Sequence, residues 1–389
     1  MQSPEYVQTS MAAAKTLGYF PNSFRRNSFL RGLNLLLTYD QRCVGRCAYC
    51  GLNSVRDVEV ADPERTFIRV RWPTYAVSDI IARTREDGGQ LKRVCVGMIT
   101  HPRAFDDMNS IVHRFHSELG RPISALISPT SIRDPRRLAE TRQAGADMAT
   151  VAIDAATPEL FERYRGRSVG GPHRWEQFWE MLAGAVEILG RGKAGVHLIV
   201  GLGETEEQMV QAIQRAHDMG AATHLFSFFP EEGTSLDGHG QPSYGQYRRV
   251  QLARYLVNRG LGRGEAMTFD ARGRIVGLGV EEAVLEECIR FGEPFMTSGC
   301  PGADGRTACN RPFGHERSGR PIRNYAFEPD VEDVALIRDQ LQDYDGFGDG
   351  RRCGALPPAL ERAPGQGVAG TRGGLCPAPG PGRARGAAL

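Results

Sequence analysis

Six short apolar runs alternate with amphipathic stretches between residue 33 and about residue 280, and this alternation strongly constrains the fold. The runs are LNLLLTY (33–39), KRVCVGMIT (92–100), PISALIS (122–128), MATVAID (148–154), AGVHLIVGLG (194–203) and THLFSFF (223–229). Strands that alternate with helices form βαβ units around a parallel sheet. We therefore predict an α/β fold. Six repeats favour a partial (β/α)6 TIM-type barrel over an open doubly wound sheet. The first strand is followed by three cysteines and not by a dinucleotide-binding fingerprint.

Composition changes along the chain and indicates four segments. We predict an N-terminal helical extension over 1–32, the barrel over 33–280, a loop-rich C-terminal extension over 281–345 and a disordered tail over 346–389. The first helix is expected near Ser3-Pro4, and two more are expected in EEAVLEECIRFG and PDVEDVALIRDQL. The tail is rich in Gly, Pro, Ala and Arg, a composition that cannot bury a core. Cys353 and Cys376 lie in it, and we assign them no role.

Charge and hydropathy exclude some classes of protein. Lys and Arg number 48 against 46 for Asp and Glu, so charge gives no reason to expect a nucleic-acid partner. No apolar run is long enough to span a membrane, and the N-terminus lacks the pattern of a signal peptide. We therefore expect a cytoplasmic protein whose thiols stay reduced. Its nine cysteines are then expected to be metal ligands, catalysts or core residues, not disulfides.

The stretch RCVGRCAYCGLNS (42–54) holds Cys43, Cys47 and Cys50 in a Cys-x3-Cys-x2-Cys spacing. A structural zinc site takes four closed ligands, whereas this loop offers three cysteines and no histidine. A 4Fe-4S cluster held by three thiolates leaves one iron open to a small chelating ligand. An open iron–sulfur cluster is therefore the favoured interpretation, and chance clustering or a zinc knuckle is the alternative.

With Tyr49 directly before the last cysteine, this motif resembles the signature of the radical S-adenosylmethionine (SAM) superfamily. The resemblance implies that the open iron binds the amino and carboxylate groups of SAM. One electron from the cluster then cleaves the sulfonium and yields methionine and a 5′-deoxyadenosyl radical. That radical abstracts hydrogen from an unactivated C–H bond.

The resemblance also implies contacts with SAM at the carboxyl ends of later strands, where barrels of this type place their chemistry. Gly97 and Met98 would meet the amino end, Asp154 the ribose, and Gly201, in the Gly201–Glu204 turn, the adenine. Each has a simpler alternative, because strand-ending glycines often only form turns and Asp154 could cap the next helix.

Further polar groups are predicted at the same end of the barrel. They are His101, Ser128 to Thr130 and Pro230 to Glu232. His101 could equally lie in a surface loop. Cys95 lies inside the second strand, where a small buried residue is the simplest interpretation.

A second group of cysteines follows the predicted barrel. Cys288, Cys300 and Cys309 lie in a segment with Gly299, Pro301 and Gly302, and a glycine-rich backbone can wrap closely around an inorganic core. We predict that these three cysteines hold a second 4Fe-4S cluster. The alternative is one helix cysteine and two loop thiols without a metal.

Two stretches resemble a subunit of the two-protein lipoyl synthases. They are VAIDAATPELFERYRG, and GEPFMTSGCP followed by CNRPFGHERSGRPIRNY. The resemblance implies lipoate biosynthesis by sulfur insertion into an octanoyl chain on a lipoyl carrier protein. Its implied partners are an octanoylated carrier protein or peptide, a second radical SAM subunit and an electron donor of the ferredoxin or flavodoxin type, with no nucleic acid and no membrane.

Departures from related families keep other functions open. The usual lipoyl synthase has a cysteine triplet near its N-terminus, whereas no cysteine precedes Cys43 here. Biotin synthase holds its second cluster on cysteines of the barrel strands, and strands three to six of this chain contain none. One alternative is a radical SAM mutase or lyase, or a biotin synthase-like enzyme, that acts on a small molecule. The other is a non-enzymatic iron–sulfur assembly or electron-carrier protein.

Overall fold

The computed structural model describes residues 1–21, 24, 26, 28, 30–56, 66–67, 70–87, 89–310 and 322–345. The tail predicted to be disordered, with Cys353 and Cys376, lies outside the described residues. So does the part of the C-terminal resemblance that falls at 311–321.

The chain folds around one sheet of eight strands. The strands of the described residues are β1 (Tyr6–Thr9), β2 (Gly32–Leu37), β3 (Thr66–Phe67), β4 (Val70–Arg71), β5 (Thr74–Ala76), β6 (Arg93–Gly97), β7 (Ile123–Ile127), β8 (Met148–Asp154), β9 (Ala194–Val200), β10 (Ala221–Ser227), β11 (Thr268–Phe269) and β12 (Ile275–Gly277). The large sheet has the order β10-β9-β8-β7-β6-β2-β1-β5, and β3–β4 and β11–β12 form two small separate pairs.

Helices follow the parallel strands as the sequence predicts. They are α1 (Met11–Thr16), α2 (Val77–Glu86), α3 (Ala104–Leu119), α4 (Pro129–Ile132), α5 (Leu138–Gln143), α6 (Pro158–Tyr164), α7 (Trp175–Leu189), α8 (Glu206–Met219), α9 (Tyr244–Asn258), α10 (Glu282–Phe291) and α11 (Val331–Leu341), with short 3-10 turns at Pro135–Arg137, Arg167–Val169, Gly264–Ala266 and Glu293–Phe295. Local signals fix several ends. Thr205 and Gln208 form a capping box at the start of α8, and Gly220 ends it with φ of 96°.

The barrel consists of six strands that pair in parallel, namely β2, β6, β7, β8, β9 and β10. The predicted fold class is confirmed: this is a partial TIM-type barrel. Every residue of β2, β6, β7 and β9 is buried, as expected for strands covered on both faces. The predicted strands match these six to within a few residues at their ends. The carboxyl ends of the strands therefore share one edge, where the predicted site residues cluster.

The N-terminal segment differs from its predicted form. Residues 6–9 form β1, which pairs antiparallel with β2 and β5 and extends the sheet. The helix begins at Met11 after Ser10, whose side chain accepts from the backbone N–H of Ala13, and not near Ser3-Pro4. The segment predicted as a helical extension thus adds both a strand and a helix.

The C-terminal extension is docked on α9 by a buried arginine. Arg248 donates to Gln340 on α11 (2.8 Å), to the Arg323 carbonyl (2.7 Å) and to the Ile322 carbonyl. Apolar side chains of α9, α10 and α11 pack around these contacts. The extension is therefore continuous with the barrel wall at α9. Among the described helices, none is both long enough and apolar enough to cross a membrane.

Candidate active site

Cys43, Cys47 and Cys50 lie in the loop that follows β2. Cys47 is buried, and the other two are half-buried. Hydrogen bonds within the loop shape it. The Cys50 N–H donates to the Cys47 carbonyl at 3.1 Å. The backbone N–H of Asn53 donates to the Cys50 carbonyl at 3.0 Å, and its side-chain amide donates to the Cys47 carbonyl, also at 3.0 Å. All three cysteines line one cavity, so the sequence spacing does bring them together.

Backbone groups surround the first cysteine. The Thr100 N–H donates to Cys43 Sγ at 3.3 Å, and such bonds to cysteine sulfur are one means of tuning iron–sulfur clusters. At Gly45 a Cβ would lie 2.8 Å from His173 Nε2 and 3.3 Å from Cys43 Sγ. Only glycine therefore lets the loop approach the imidazole this closely. This cradle of backbone and three thiols fits an iron–sulfur cluster.

Asp154 ends β8 in an unusual conformation. Its φ is 67°, a left-handed value uncommon outside glycine, and the pairing of β8 with β9 shifts between Ala152 and Asp154. The Tyr49 hydroxyl donates to Asp154 Oδ2 at 2.6 Å, and Arg165 Nη1 lies 3.1 Å from the same oxygen. Strain of this kind clusters at functional positions. It supports the prediction that Asp154 contacts SAM.

Arg165 provides a buried cation beside both Asp154 and the cysteine loop. It donates to the carbonyls of Ile153 (2.8 Å) and Ala152 and is hydrogen-bonded to Cys47. Burial raises the pKa of Cys47, and the charge of Arg165 opposes that rise. Because iron binds the thiolate, Arg165 favours the protonation state that the site requires.

The cavity lies at the carboxyl ends of the strands. The empty space in it, counted out to the open mouth, is about 1250 Å³. Beyond the thiols the wall is largely apolar, with Leu36, Leu52, Ile99, Ile199, Phe226 and Phe228 among its residues.

Only one of the three strand-end residues Gly97, Met98 and Gly201, which were predicted to contact SAM, lines the cavity. Met98 lines the cavity, whereas Gly97 and Gly201 are not among the lining residues. Gly201 has φ of 105°, and a Cβ there would lie 2.5 Å from Pro242. Its N–H donates to Glu204 Oε1 at 2.7 Å, so its visible role is to form a turn. A role of Gly97 or Gly201 in binding SAM stays a prediction.

Other residues predicted at this end have structural partners. His101 is buried, not in a surface loop, and stacks on Tyr39 with ring centroids 3.8 Å apart. Glu231 forms a buried ion pair of 2.9 Å with Arg56, which follows the cysteine loop. Ser128 lines the cavity.

Two cavity residues were missed by sequence reasoning. His173 shares a 2.7 Å hydrogen bond with Thr130 through Nδ1, and burial, together with Arg165 and Arg174, holds the pKa of His173 well below its usual range. No local signal marks His173. Arg165 lies one residue past α6, inside the stretch VAIDAATPELFERYRG that carries the family resemblance. Only the fold shows that its side chain reaches back to Asp154.

A second small cavity, here called the basal chamber, lies in the amino-terminal half of the barrel. It is lined by Cys95, Thr150, His197, His224, Phe226, Ser298, Gly299, Cys300 and Cys309. Cys309 hydrogen-bonds with both Cys300 and Cys95. The Cys300–Cys309 hydrogen bond lowers the pKa of Cys300 and raises that of Cys309. Cys95, which the sequence suggested was only a small core residue, belongs to this group of thiols.

Cys288 does not join that group, which corrects the predicted ligand set. It lies on α10 and packs with Leu252, Leu256, Ile289 and Phe295 in a separate apolar cluster. Burial raises the pKa of its thiol. Proximity in sequence grouped Cys288 with Cys300, whereas the fold directs α10 outward against α9 and α11.

Within the described part of the chain, no three His, Cys, Asp or Glu side chains are already arranged around one point as metal ligands would be.

Comparison with known proteins identifies the class of the barrel. Residues 39–216 match the model of the Radical SAM superfamily. This match covers the cysteine loop, Asp154 and Arg165, so the chain contains a radical SAM domain. That domain implies a 4Fe-4S cluster and SAM as its cofactors.

Two solved structures are similar to part of the chain. Methylornithine synthase (PylB) is 18% identical, with a TM-score of 0.44, over 63% of this chain and 67% of that one. The radical S-adenosylmethionine methyltransferase TsrM from Kitasatospora setae, solved with cobalamin and a 4Fe-4S cluster, is 14% identical, with a TM-score of 0.35, over 64% of this chain and 45% of that one. No curated protein sequence matches the chain significantly.

Proposed function

We propose that this chain is a radical SAM sulfurtransferase that inserts sulfur into an octanoyl chain on a lipoyl carrier protein. One observation carries the proposal. His197 and Phe226 line both the SAM cavity and the basal chamber. A thiol-rich site thus lies directly behind the place where a substrate radical would form, and a sulfur source must be that close.

The cavity wall suits an aliphatic substrate. Burial of an alkyl chain against leucine, isoleucine and phenylalanine gains about 0.8 kcal/mol per CH₂. Asp154 and Arg165 contact the cysteine loop through Tyr49 and Cys47, whereas Ile199, Phe226 and Phe228 give the cavity apolar lining. The polar groups would hold SAM, and the apolar lining would hold the octanoyl chain.

When bound through Cys43, Cys47 and Cys50, a 4Fe-4S cluster supplies the electron that cleaves SAM. The chain's own residues prepare that site. Arg165 stabilises Cys47 as a thiolate, Thr100 donates to Cys43, and Asp154 is held by Tyr49 and Arg165 for a ribose hydroxyl. The apolar wall excludes water from the radical.

The sulfur donor is a substrate of the proposed reaction, because it is consumed. Hydrogen transfer breaks a C–H bond at C6 or C8 of the octanoyl chain and converts the 5′-deoxyadenosyl radical to 5′-deoxyadenosine. The carbon radical then forms a C–S bond with a sulfide of the donor. The sulfide gives one electron of a pair to the new bond, and the second electron of that pair reduces one ferric ion of the donor to ferrous.

The proposed partners follow from this chemistry. The octanoyl chain would arrive on a lysine of a carrier protein or peptide. A ferredoxin- or flavodoxin-type donor would supply the electron for SAM cleavage. A second radical SAM subunit would insert the other sulfur of a lipoyl group.

The test is isotopic. The protein is reconstituted anaerobically with iron and ³⁴S-sulfide, then incubated with SAM, dithionite and an octanoyl-lysine peptide. We expect 5′-deoxyadenosine and a thiolated peptide that carries ³⁴S. The double variant Cys300→Ala/Cys309→Ala should keep SAM cleavage and lose the thiolated product, whereas the control Cys288→Ala should keep both.

Thiolated peptide without the heavy isotope would refute a sulfur source within the protein. Formation of 5′-deoxyadenosine without thiolation, with a partner subunit present, would refute sulfur insertion and favour a mutase or lyase. Absence of SAM cleavage would refute the enzyme altogether.

A further inference from the structure

We propose that the basal chamber binds an iron–sulfur cluster through Cys95, Cys300 and Cys309, with His224 as the fourth donor. The inference deepens the proposed function, on which it rests for the role of the cluster as sulfur donor. The site itself is argued from the chamber's own residues. It replaces the sequence-predicted ligand Cys288 with Cys95 and adds a histidine.

The three thiols meet from distant parts of the chain. Cys95 is the third residue of β6, and Cys300 and Cys309 lie on the loop that closes the base of the barrel. All three are buried, and Cys309 interacts with both others. Because free thiolates repel one another and buried thiols gain little from mutual contact, three such groups in one place indicate a soft metal ligand set.

Two buried side chains at the chamber each have one polar atom without a hydrogen-bond partner. His224 is 5% exposed, its Nε2 lies 3.9 Å from Cys300 Sγ, and its Nδ1 has no hydrogen-bond partner. Asn34 is fully buried, its Oδ1 lies 4.0 Å from Cys309 Sγ, and its Nδ2 also has no partner. An unpaired buried polar group costs about 1–3 kcal/mol. A cluster would be ligated by His224 Nε2, the nitrogen that faces Cys300, and its sulfides would accept the hydrogen of the Asn34 amide that now has no partner.

The closing loop is packed backbone to backbone. A Cβ at Gly299 would lie 1.5 Å from the Cys309 carbonyl oxygen, and one at Gly32 would lie 2.5 Å from that of Ala308. Leu225 N–H donates to Ser298 Oγ at 3.2 Å. The loop is thereby held against β2 and β10, so Cys300 and Cys309 stay next to Cys95.

Three cysteines and one histidine also form the donor set of structural zinc sites. The shared wall with the SAM cavity favours a cluster, because a structural ion needs no connection to a reaction site. The metal content of the protein decides between these two occupants.

The experiment isolates the basal chamber by removing the upper site. In the variant Cys43→Ala/Cys47→Ala/Cys50→Ala, reconstituted anaerobically, we expect about four irons and four sulfides per chain against about eight of each in the wild type. Addition of Cys95→Ser should reduce iron to near zero. Addition of Cys288→Ala, the matched control, should leave about four.

Pulsed EPR of the dithionite-reduced, upper-site-free protein tests the histidine. We expect a nitrogen coupling of directly ligated imidazole that is lost in His224→Gln. A coupling that persists in His224→Gln would refute His224 as the ligand. Gel filtration and circular dichroism confirm that each variant is folded. Should the Cys95 variant not fold, the iron content of the upper-site-free protein itself decides the question.

Iron near zero in the upper-site-free protein would overturn the inference, as would one zinc per chain in place of iron. Neither result depends on turnover. A basal cluster without any thiolated peptide would leave this inference standing and refute sulfur insertion, so the two failures are distinguishable.

Discussion

At the residue scale, Asp154 joins the strained end of β8 to the cysteine loop through Tyr49. Its carboxylate accepts from Tyr49 at 2.6 Å and pairs with Arg165 at 3.1 Å, which leaves its second oxygen for another donor. Asparagine tolerates the left-handed conformation, so Asp154→Asn changes the charge while it preserves the backbone. The substitution also leaves the buried Arg165 without its carboxylate partner, so the free energy of unfolding is measured beside SAM binding.

We expect Asp154→Asn to weaken SAM binding by about 10-fold or more, since a hydrogen bond to a charged group contributes about 1.5–3 kcal/mol. Tyr49→Phe should have a smaller effect because it removes only a supporting hydroxyl. Equilibrium dialysis of the reconstituted protein with labelled SAM measures both. The exposed Asp218→Asn is the control. Unchanged SAM affinity in Asp154→Asn would show that Asp154 is structural.

Glu204 provides a pH-dependent contribution to stability. Burial raises the pKa of Glu204 to about 7, although the N–H groups of Gly201 and Leu202 act to lower it. The folded state therefore holds a proton that the unfolded chain releases near pH 4.5. The stabilisation is complete below that pH and is lost as the pH rises toward 7.

We expect the free energy of unfolding of the wild type, relative to Glu204→Gln, to fall by up to about 3 kcal/mol between pH 4.5 and pH 7. Above pH 7.5 the difference should become constant. Urea titrations of the apo proteins across this range measure it. A difference that does not vary with pH would mean that Glu204 is ionised throughout.

At the element scale, one buried ion pair joins three parts of the chain. Arg249 on α9 binds Glu206 at the start of α8 (2.6 Å) and donates to the carbonyls of Leu341 and Asp343 (both 3.0 Å). Glu206 also accepts from Ile275 N–H on β12 at 2.8 Å. The pair thus attaches the C-terminal extension to the barrel.

We expect Arg249→Met to destabilise the protein by about 3–5 kcal/mol, because it leaves the Glu206 carboxylate buried without its cation. The double variant Arg249→Met/Glu206→Gln should be more stable than Arg249→Met alone. Urea unfolding of the wild type, Arg249→Met, Glu206→Gln and the double variant gives the coupling energy. If the two substitutions prove additive, the pair does not hold the extension in place.

The elements with a strong local signal were predictable, and those that depend on distant contacts were not. The six parallel strands are continuous apolar runs, and α8 carries its own cap. In contrast, β1 is a short segment whose strand pairing depends on β2 and β5. Cys95 could not be grouped with Cys300 from sequence, because only barrel closure brings β6 to the post-barrel loop. The same holds for Arg165 and Asp154.

At the scale of the whole molecule, the barrel separates two groups of thiols. Cys43 and Cys50 are half-buried and line the open cavity, whereas the thiols of the basal chamber are buried, Cys95 on β6 and the other two on the closing loop itself. This arrangement allows SAM and substrate to enter from one end while the proposed sulfur donor is protected at the other. His197 and Phe226 form the wall between them.

The separation predicts an order of thiol alkylation in the metal-free protein. Iodoacetamide reacts with an accessible thiolate. Cys43 should react first, because it is half-buried and burial raises the pKa of Cys50 well above its usual range. Cys95, Cys300 and Cys309 should react at least about 10-fold more slowly, since they require the closing loop to open.

Peptide mass spectrometry after timed quenching measures the rate at each cysteine. All nine cysteines should react at similar rates in concentrated urea, which is the control for intrinsic reactivity. Cys288, buried in a different apolar cluster, reports ordinary protection by a core. If Cys300 and Cys309 were labelled as fast as Cys43, the base of the barrel would be open, and a sulfur donor there would be exposed to solvent. Slow labelling of both, with fast labelling of Cys43, would match a barrel that is open at the SAM end and closed at the other.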